Sequence, residues 1–432
     1  VETSLSTLFF REETMKKLLI AVLCLMLTGC AAPAPSDGSG PDRSVSPDIP
    51  APSPAASSAP NGESGPPQAS PETDPETAEN PSASQEPSES SLGPQNQEQI
   101  IQELLSAMTL EEKVGQMFFV RCPETGGAEL AAQYKVGGYL LFGRDFKDKT
   151  AQQVRDDIQS YQDASGIPLL IGTDEEGGTV VRASSNPDLF PQREPAPQTL
   201  FAQGGMDLIL QDARQKSMTL LDLGVNVNFA PVADVSTDPA DFIYARSFGQ
   251  DAQATANYVA QVVGVMGEEQ IGSVLKHFPG YGNNVDTHTG IALDQRPYET
   301  FQTSDFLPFQ AGIQAGADAV LVSHNIAASM DESLPASLSP TVHKILREEL
   351  GFDGVVLTDD LAMDAVMEYA QNGSAAVLAI QAGNDMVVTT DFQTQIPQVI
   401  HAVQSGVIAE SQIDQAVTRV LNWKYELGLL GN

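Results

Sequence analysis

Basic residues are scarce in this chain: 22 Lys and Arg stand against 57 Asp and Glu over 432 residues, a formal charge of −35. A surface that tracks phosphates needs Lys and Arg, so nucleic acid is excluded as a partner. Cysteine is scarcer still, with three residues at 24, 30 and 122. Neither a Cys-x-x-Cys pair nor a His-Glu-x-x-His stretch occurs, so no disulfide framework, metal site or cofactor is assigned. The N-terminal apolar run, Leu18 to Leu27, is only 10 residues. A membrane-spanning helix takes about 20, so this run is not read as a permanent span.

That run does fit an export signal. Met15-Lys16-Lys17 supplies a short positive start, and Leu27-Thr28-Gly29-Cys30 a small-residue cleavage site ending in cysteine. The pattern resembles a bacterial lipoprotein signal peptide, which implies that Cys30 becomes the lipidated N-terminus, followed by Ala31. Residues 1–14 then read as an upstream extension and 15–30 as the signal. Residues 31–97 read as a disordered linker: 31–95 hold 15 of the 29 prolines, and 10 acidic residues against 1 basic. So little apolar content cannot build a core. A coil of about 65 residues reaches about 45 Å, enough to hold a domain off a membrane. The expected location is extracytoplasmic, with a lipid anchor in the cell membrane through Cys30. Cys24 leaves with the signal, and Cys122 remains alone as the filler of a strand end.

From residue 98 the composition is globular. Glu98 to Met108 reads as a helix, and Thr109 with Glu112 offers a capping box for a second. Short apolar or β-branched runs follow at 117–120, 137–142, 168–173, 225–229, 272–276, 318–323, 354–358 and 384–389. Helical segments such as Gln152 to Tyr161, Ala254 to Met266 and Ala375 to Gln381 separate them. The alternation predicts a single (β/α)8 TIM barrel over 98–432. A doubly wound open sheet is the alternative, disfavoured because no Gly-rich dinucleotide fingerprint follows the first strand.

In a barrel the chemistry gathers where strands end. Behind five of the runs stand Asp174-Glu-Glu-Gly-Gly178 with Arg182, Ala230 to Asp234 with Arg246 on its loop, Lys276-His277, His324-Asn325 and Asp359-Asp360. Asp359 directly ends an apolar strand and reads as a carboxylate nucleophile; capping of a following helix is the other reading of the two acids, and suits Asp360 better than Asp359. Asp286 and His288, two residues apart, let a carboxylate orient an imidazole for proton transfer. Asp174, Arg182, Arg246 and Lys276 read as clamps for a hydroxyl-rich ligand. His343 and His401 fall in helical segments and are expected on the surface.

These motifs, including Asp174-Glu-Glu-Gly-Gly-Thr-Val-Val-Arg182, Ala245-Arg-Ser-Phe-Gly249, Lys276-His-Phe-Pro-Gly280, Asp286-Thr-His288 and Thr358-Asp-Asp360, resemble glycoside hydrolase family 3, in its β-N-acetylhexosaminidase branch, across 98–432. The resemblance implies a retaining glycosidase that removes terminal non-reducing β-linked N-acetylglucosamine, often from peptidoglycan fragments. It implies Asp359 as nucleophile, His288 as acid/base paired with Asp286, and Asp174, Arg182, Arg246, Lys276 and His277 as contacts of the bound sugar. The chain departs from the branch at Tyr281, commonly histidine, and in a loop about one residue shorter before Asp286. A phosphorylase or β-glucosidase on the same site, or a silent sugar-binding lipoprotein, are the other readings.

Overall fold

The computed structural model describes residues 94–284, 292–363, 366, 369 and 374–431. Cys30, the signal, the linker up to residue 93, Asp286 and His288 lie outside them. The first helix runs Pro94–Ala107, and the second, Leu110–Gln116, carries the expected capping box: Thr109 N–H donates to Glu112 Oε2 at 2.9 Å, and Glu112 N–H to Thr109 Oγ1 at 3.3 Å.

Leu293–Asp294 and Ile326–Ala327 pair separately, and eight strands form one parallel sheet: β1 Phe118–Arg121, β2 Gly138–Leu141, β3 Leu170–Thr173, β4 Val227–Asn228, β5 Gly272–Phe278, β6 Ala319–Val322, β7 Val355–Thr358 and β8 Val387–Thr389. Each overlaps one of the apolar runs. They pair in parallel in chain order, and β8 returns to β1 with Phe118 opposite Val387. A single bridge, Leu357 to Met386, joins β7 to the start of β8 and leaves the ring nearly closed. A strand that pairs with both the first and the seventh cannot belong to an open doubly wound sheet. Helices Ala151–Asp163, Ala252–Glu268 and Ala375–Ala382 fall where the sequence places them.

Alternate side chains point to opposite faces of a strand, and this sorts the core into two layers. Phe118, Val120, Ile171, Leu275 and Val356 face the helices. Phe119, Leu140, Val227, Val274 and Leu357 fill the barrel. Phe119 and Phe229 meet edge to face inside, with centroids 5.2 Å apart. Gly172 lies against that pair: a Cβ there would stand 2.7 Å from the Phe229 ring and 2.8 Å from that of Phe119. The C-terminal helix, Glu410–Glu426, sends Val420 and Trp423 into the same interior cluster. The interior is thus plugged with apolar side chains, and the polar residues collect at the strands' C-terminal ends.

Candidate active site

The same alternation that buries the barrel's interior builds its rim. Two residues beyond Phe119, Leu140, Val274 and Leu357 come Arg121, Phe142, Lys276 and Asp359, and two beyond Gly172 comes Asp174. These five line a cavity of about 330 Å³, together with Arg182, Arg246, His277, Asp360 and Met363. The six described residues that the sequence marks as nucleophile or sugar clamps, Asp359, Asp174, Arg182, Arg246, Lys276 and His277, therefore share one opening.

Glu176 is the electrostatic centre of the clamps. Its carboxylate takes two bonds from Arg246, Nε at 3.0 Å and Nη2 at 2.8 Å, and lies 2.5 Å from Lys276 Nζ. Lys276 also donates to Asp174 Oδ1 at 2.7 Å, and Arg182 Nη2 stands 3.5 Å from Asp174 Oδ2. Burial works against ionising Glu176, but Lys276 and Arg246 outweigh it and hold the carboxyl well below the usual range. Fixed in this way, the cations cannot rearrange when a ligand enters, which is the preorganisation that a positioning site needs.

His277 is held from both sides. Nδ1 lies 2.7 Å from Asp234 Oδ2, and Arg246 Nη2 donates to Nε2 at 3.0 Å. An arginine cannot accept, so Nε2 is the acceptor and the ring proton sits on Nδ1. Asp234 also accepts the His277 N–H at 3.0 Å and the Tyr281 N–H at 2.8 Å, and the Tyr281 ring packs edge-on to the imidazole at 5.1 Å.

Asp359 extends the β6–β7 ladder, its N–H donating to Val322 O at 3.0 Å. One of its carboxylate oxygens accepts the Asp360 N–H at 2.8 Å. Asp360 Oδ1 accepts from Ala362 N–H at 3.0 Å, which fixes the turn that follows it, and the residue also lines the cavity. Burial, with the Asp359 charge beside it, raises the Asp360 carboxyl above the ordinary range.

Two histidines differ from expectation. His324 does not line the cavity: it is buried, with Nδ1 2.7 Å from Ser337 Oγ and Nε2 3.0 Å from the Asp360 carbonyl, and so braces the strand end that carries Asp359 and Asp360. His343 is buried rather than on the surface, with Nδ1 2.8 Å from Ser339 O, because its short helix packs under Gly383. His401 is exposed as expected. Cys122 is free and buried just past β1, where burial pushes its thiol up to about 12.

The sequence reading assigned no role to Glu176, Asp234 or Arg121. Each carried a signal: Glu176 stands two residues past Asp174, Arg121 two past the inward Phe119, and Asp234 ends the stretch behind β4. Glu175 shows why adjacency alone does not identify such residues. Its carboxylate turns away from the clamps and accepts the N–H groups of Arg182 and Ala183 at 2.9 and 2.7 Å, fixing the loop that carries Arg182. Gly177 and Gly178 make that turn at φ of 97° and 65°, which side chains disfavour.

Comparison with known proteins matches this architecture to a family. Residues 109–423 match the glycosyl hydrolase family 3 N-terminal domain. A β-hexosaminidase of Stenotrophomonas maltophilia is 35% identical over 318 residues, covering 71% of this chain and 89% of that protein. Among solved structures, a family 3 β-N-acetylglucosaminidase from Paenibacillus sp. superposes with a TM-score of 0.69 at 30% identity, over 76% of this chain and 64% of that one. A β-N-acetylhexosaminidase from Beutenbergia cavernae gives 0.64 at 29%, over 73% and 98%. These likenesses show a glycosidase, and the chain belongs to glycosyl hydrolase family 3.

Proposed function

We propose that this protein is a retaining exo-β-N-acetylglucosaminidase that removes terminal non-reducing N-acetylglucosamine from peptidoglycan fragments or related glycans. One observation carries the reading: the Asp359 carboxylate shares a single cavity with Asp174, Arg182, Arg246, Lys276 and His277. A carboxylate facing fixed hydroxyl clamps suits attack on an anomeric carbon. The names of the relatives support the N-acetyl sugar.

In this mechanism the clamps hold the sugar while Asp359 attacks the anomeric carbon and His288 protonates the leaving oxygen. His288 then takes a proton from water, which displaces Asp359 and releases the sugar with its configuration retained. Asp286 orients His288. Both belong to the segment that joins Asn284 to Ala292, and Asn284 follows directly on the rim, its N–H donating to Tyr281 O at 3.0 Å. An imidazole acid/base avoids setting a second full negative charge beside the nucleophile.

The test is hydrolysis of aryl β-N-acetylglucosaminide against aryl β-glucoside by the purified protein, with and without phosphate, following the released anomer by NMR. Preference for the N-acetyl sugar, β-anomer first and no phosphate effect, is expected. Release of the α-anomer first would remove Asp359 from the nucleophile's role, and phosphate-dependent sugar 1-phosphate would replace hydrolysis by phosphorolysis. The proposal extends to location, with Cys30 as a lipid anchor on the outer side of the membrane.

A further inference from the structure

The segment that carries Asp286 and His288 joins two described stems. Gly280 to Asn284 lead into it from the rim, and Ala292 to Asp294 lead out of it. Both stems meet one side chain, Arg296. Its Nη2 donates to Gly280 O at 3.2 Å on the incoming stem, and its Nε and Nη2 donate to the Asp294 carboxylate at 2.7–3.1 Å on the outgoing one. Nη1 reaches a third point: it donates to both carboxylate oxygens of Asp305, each at 3.0 Å, just ahead of the helix Phe306–Gln314.

The backbone around Arg296 is built to approach it. Its guanidinium carbon lies 4.4 Å over the Phe301 ring. A Cβ at Gly282 would run into the guanidinium, and one at Gly280 into the Asp305 carboxylate, so glycine is what lets the incoming stem lie this close. That stem is also held by Asp234, which accepts the Tyr281 N–H at 2.8 Å. On the outgoing side Ile326 N–H donates to Ala292 O at 2.8 Å, and Ala328 N–H to Asp294 O at 2.9 Å. A planar guanidinium presents five donors in a fixed fork, so it can hold a carbonyl and two carboxylates in one arrangement, which an ammonium cannot.

We infer that Arg296 is a positioning residue for the acid/base step: by fixing both stems to one point, it sets the placement of Asp286 and His288 relative to Asp359. Ends held in advance lower the entropy that ordering the span between them costs. A misplacement of about 1 Å in a reacting group costs about 100-fold in rate. This rests on the reading of His288 as the acid/base, and adds what holds it in register.

Phenyl and dinitrophenyl β-N-acetylglucosaminides test it, because only the phenyl leaving group needs a proton. Arg296→Gln is expected to lower kcat/KM about tenfold or more on the phenyl glycoside and about twofold or less on the dinitrophenyl one. Arg296→Lys keeps the charge, loses the fork and retains part of the phenyl activity. Gly282→Ala displaces the guanidinium without removing its charge, and repeats the split if Arg296→Gln fails to fold. In a His288→Ala background, Arg296→Gln adds at most about twofold on the phenyl glycoside, because an effect exerted through His288 cannot be lost twice. Full additivity there would overturn the inference. So would equal losses on the two glycosides, which would point to the clamps instead, since the Gly280 N–H also donates to His277 O at 2.8 Å. If His288→Ala itself does not separate the two glycosides, the acid/base reading fails on its own. Hydrogen exchange at the amides of Asn284, Ile326 and Ala328 then decides whether Arg296 ties the stems. Faster exchange at these in Arg296→Gln, with β1 to β3 unchanged, is expected; exchange unchanged at all three, or raised equally in β1 to β3, overturns it.

Discussion

Glu176 connects the clamps because one carboxylate neutralises two buried cations. Removing one partner of a buried ion set leaves the others uncompensated, which costs about 3–5 kcal/mol. Glu176→Gln is therefore expected to lower stability by that order in chemical denaturation, and to reduce kcat/KM through misplaced Lys276 and Arg246. Its pH signature has a definite sign. Glu176 is held well below its ordinary value of 4.5, so its contribution is complete above that value and drains away as pH falls below it. The variant's stability changes less steeply on that acid limb than the wild type's. At the reacting centre, Asp359→Ala is expected to abolish turnover. His288→Ala loses about 100-fold or more on unactivated glycosides and far less on dinitrophenyl glycosides, whose leaving group needs no proton. Equal losses on both would remove His288 from the acid's role.

Among the elements, the strands and the C-terminal helix carry the most exacting packing. Gly172→Ala drives a methyl into the Phe119–Phe229 pair and is expected to cost about 1–3 kcal/mol in a denaturant titration. A cost near zero would mean that the rings move aside. The C-terminal helix buries Lys424 fully, with Nζ donating to Gln116 Oε1 at 2.6 Å. Burial pulls its ammonium down from 10.5 to about 7, so the unfolded chain binds more protons between those values and stability rises with pH across that window. Lys424→Met removes this slope and raises the melting temperature at neutral pH. A lower melting temperature for the variant would mean that the bond to Gln116 outweighs the burial of charge.

For the whole molecule, the barrel's polar groups open on one face, while the chain ahead of residue 94 carries the export pattern. Cys30→Ala is expected to move the protein from the membrane fraction to the soluble one without altering kcat/KM, as read by fractionation and mass spectrometry of the N-terminal peptide. Membrane retention of the variant would remove Cys30 from the anchor's role.

The eight strands were legible in the sequence because an apolar run between turns is a local signal, and because period-two alternation assigns each side chain a face before any partner is known. That is why Asp174, Lys276 and Asp359 were readable as rim residues from their own strands. Charge partners were not readable. Glu176 meets Lys276 and Arg246 across about 100 and 70 residues of chain, and three consecutive acids, Asp174 to Glu176, divide into clamp, loop brace and ion-pair hub only when β3, β4 and β5 lie side by side. The same holds for His324 and His343, whose burial depends on what packs over them. Local periodicity therefore set the fold and the facing of the rim. The ion pairing of the rim charges came from long-range packing that no stretch of sequence encodes alone.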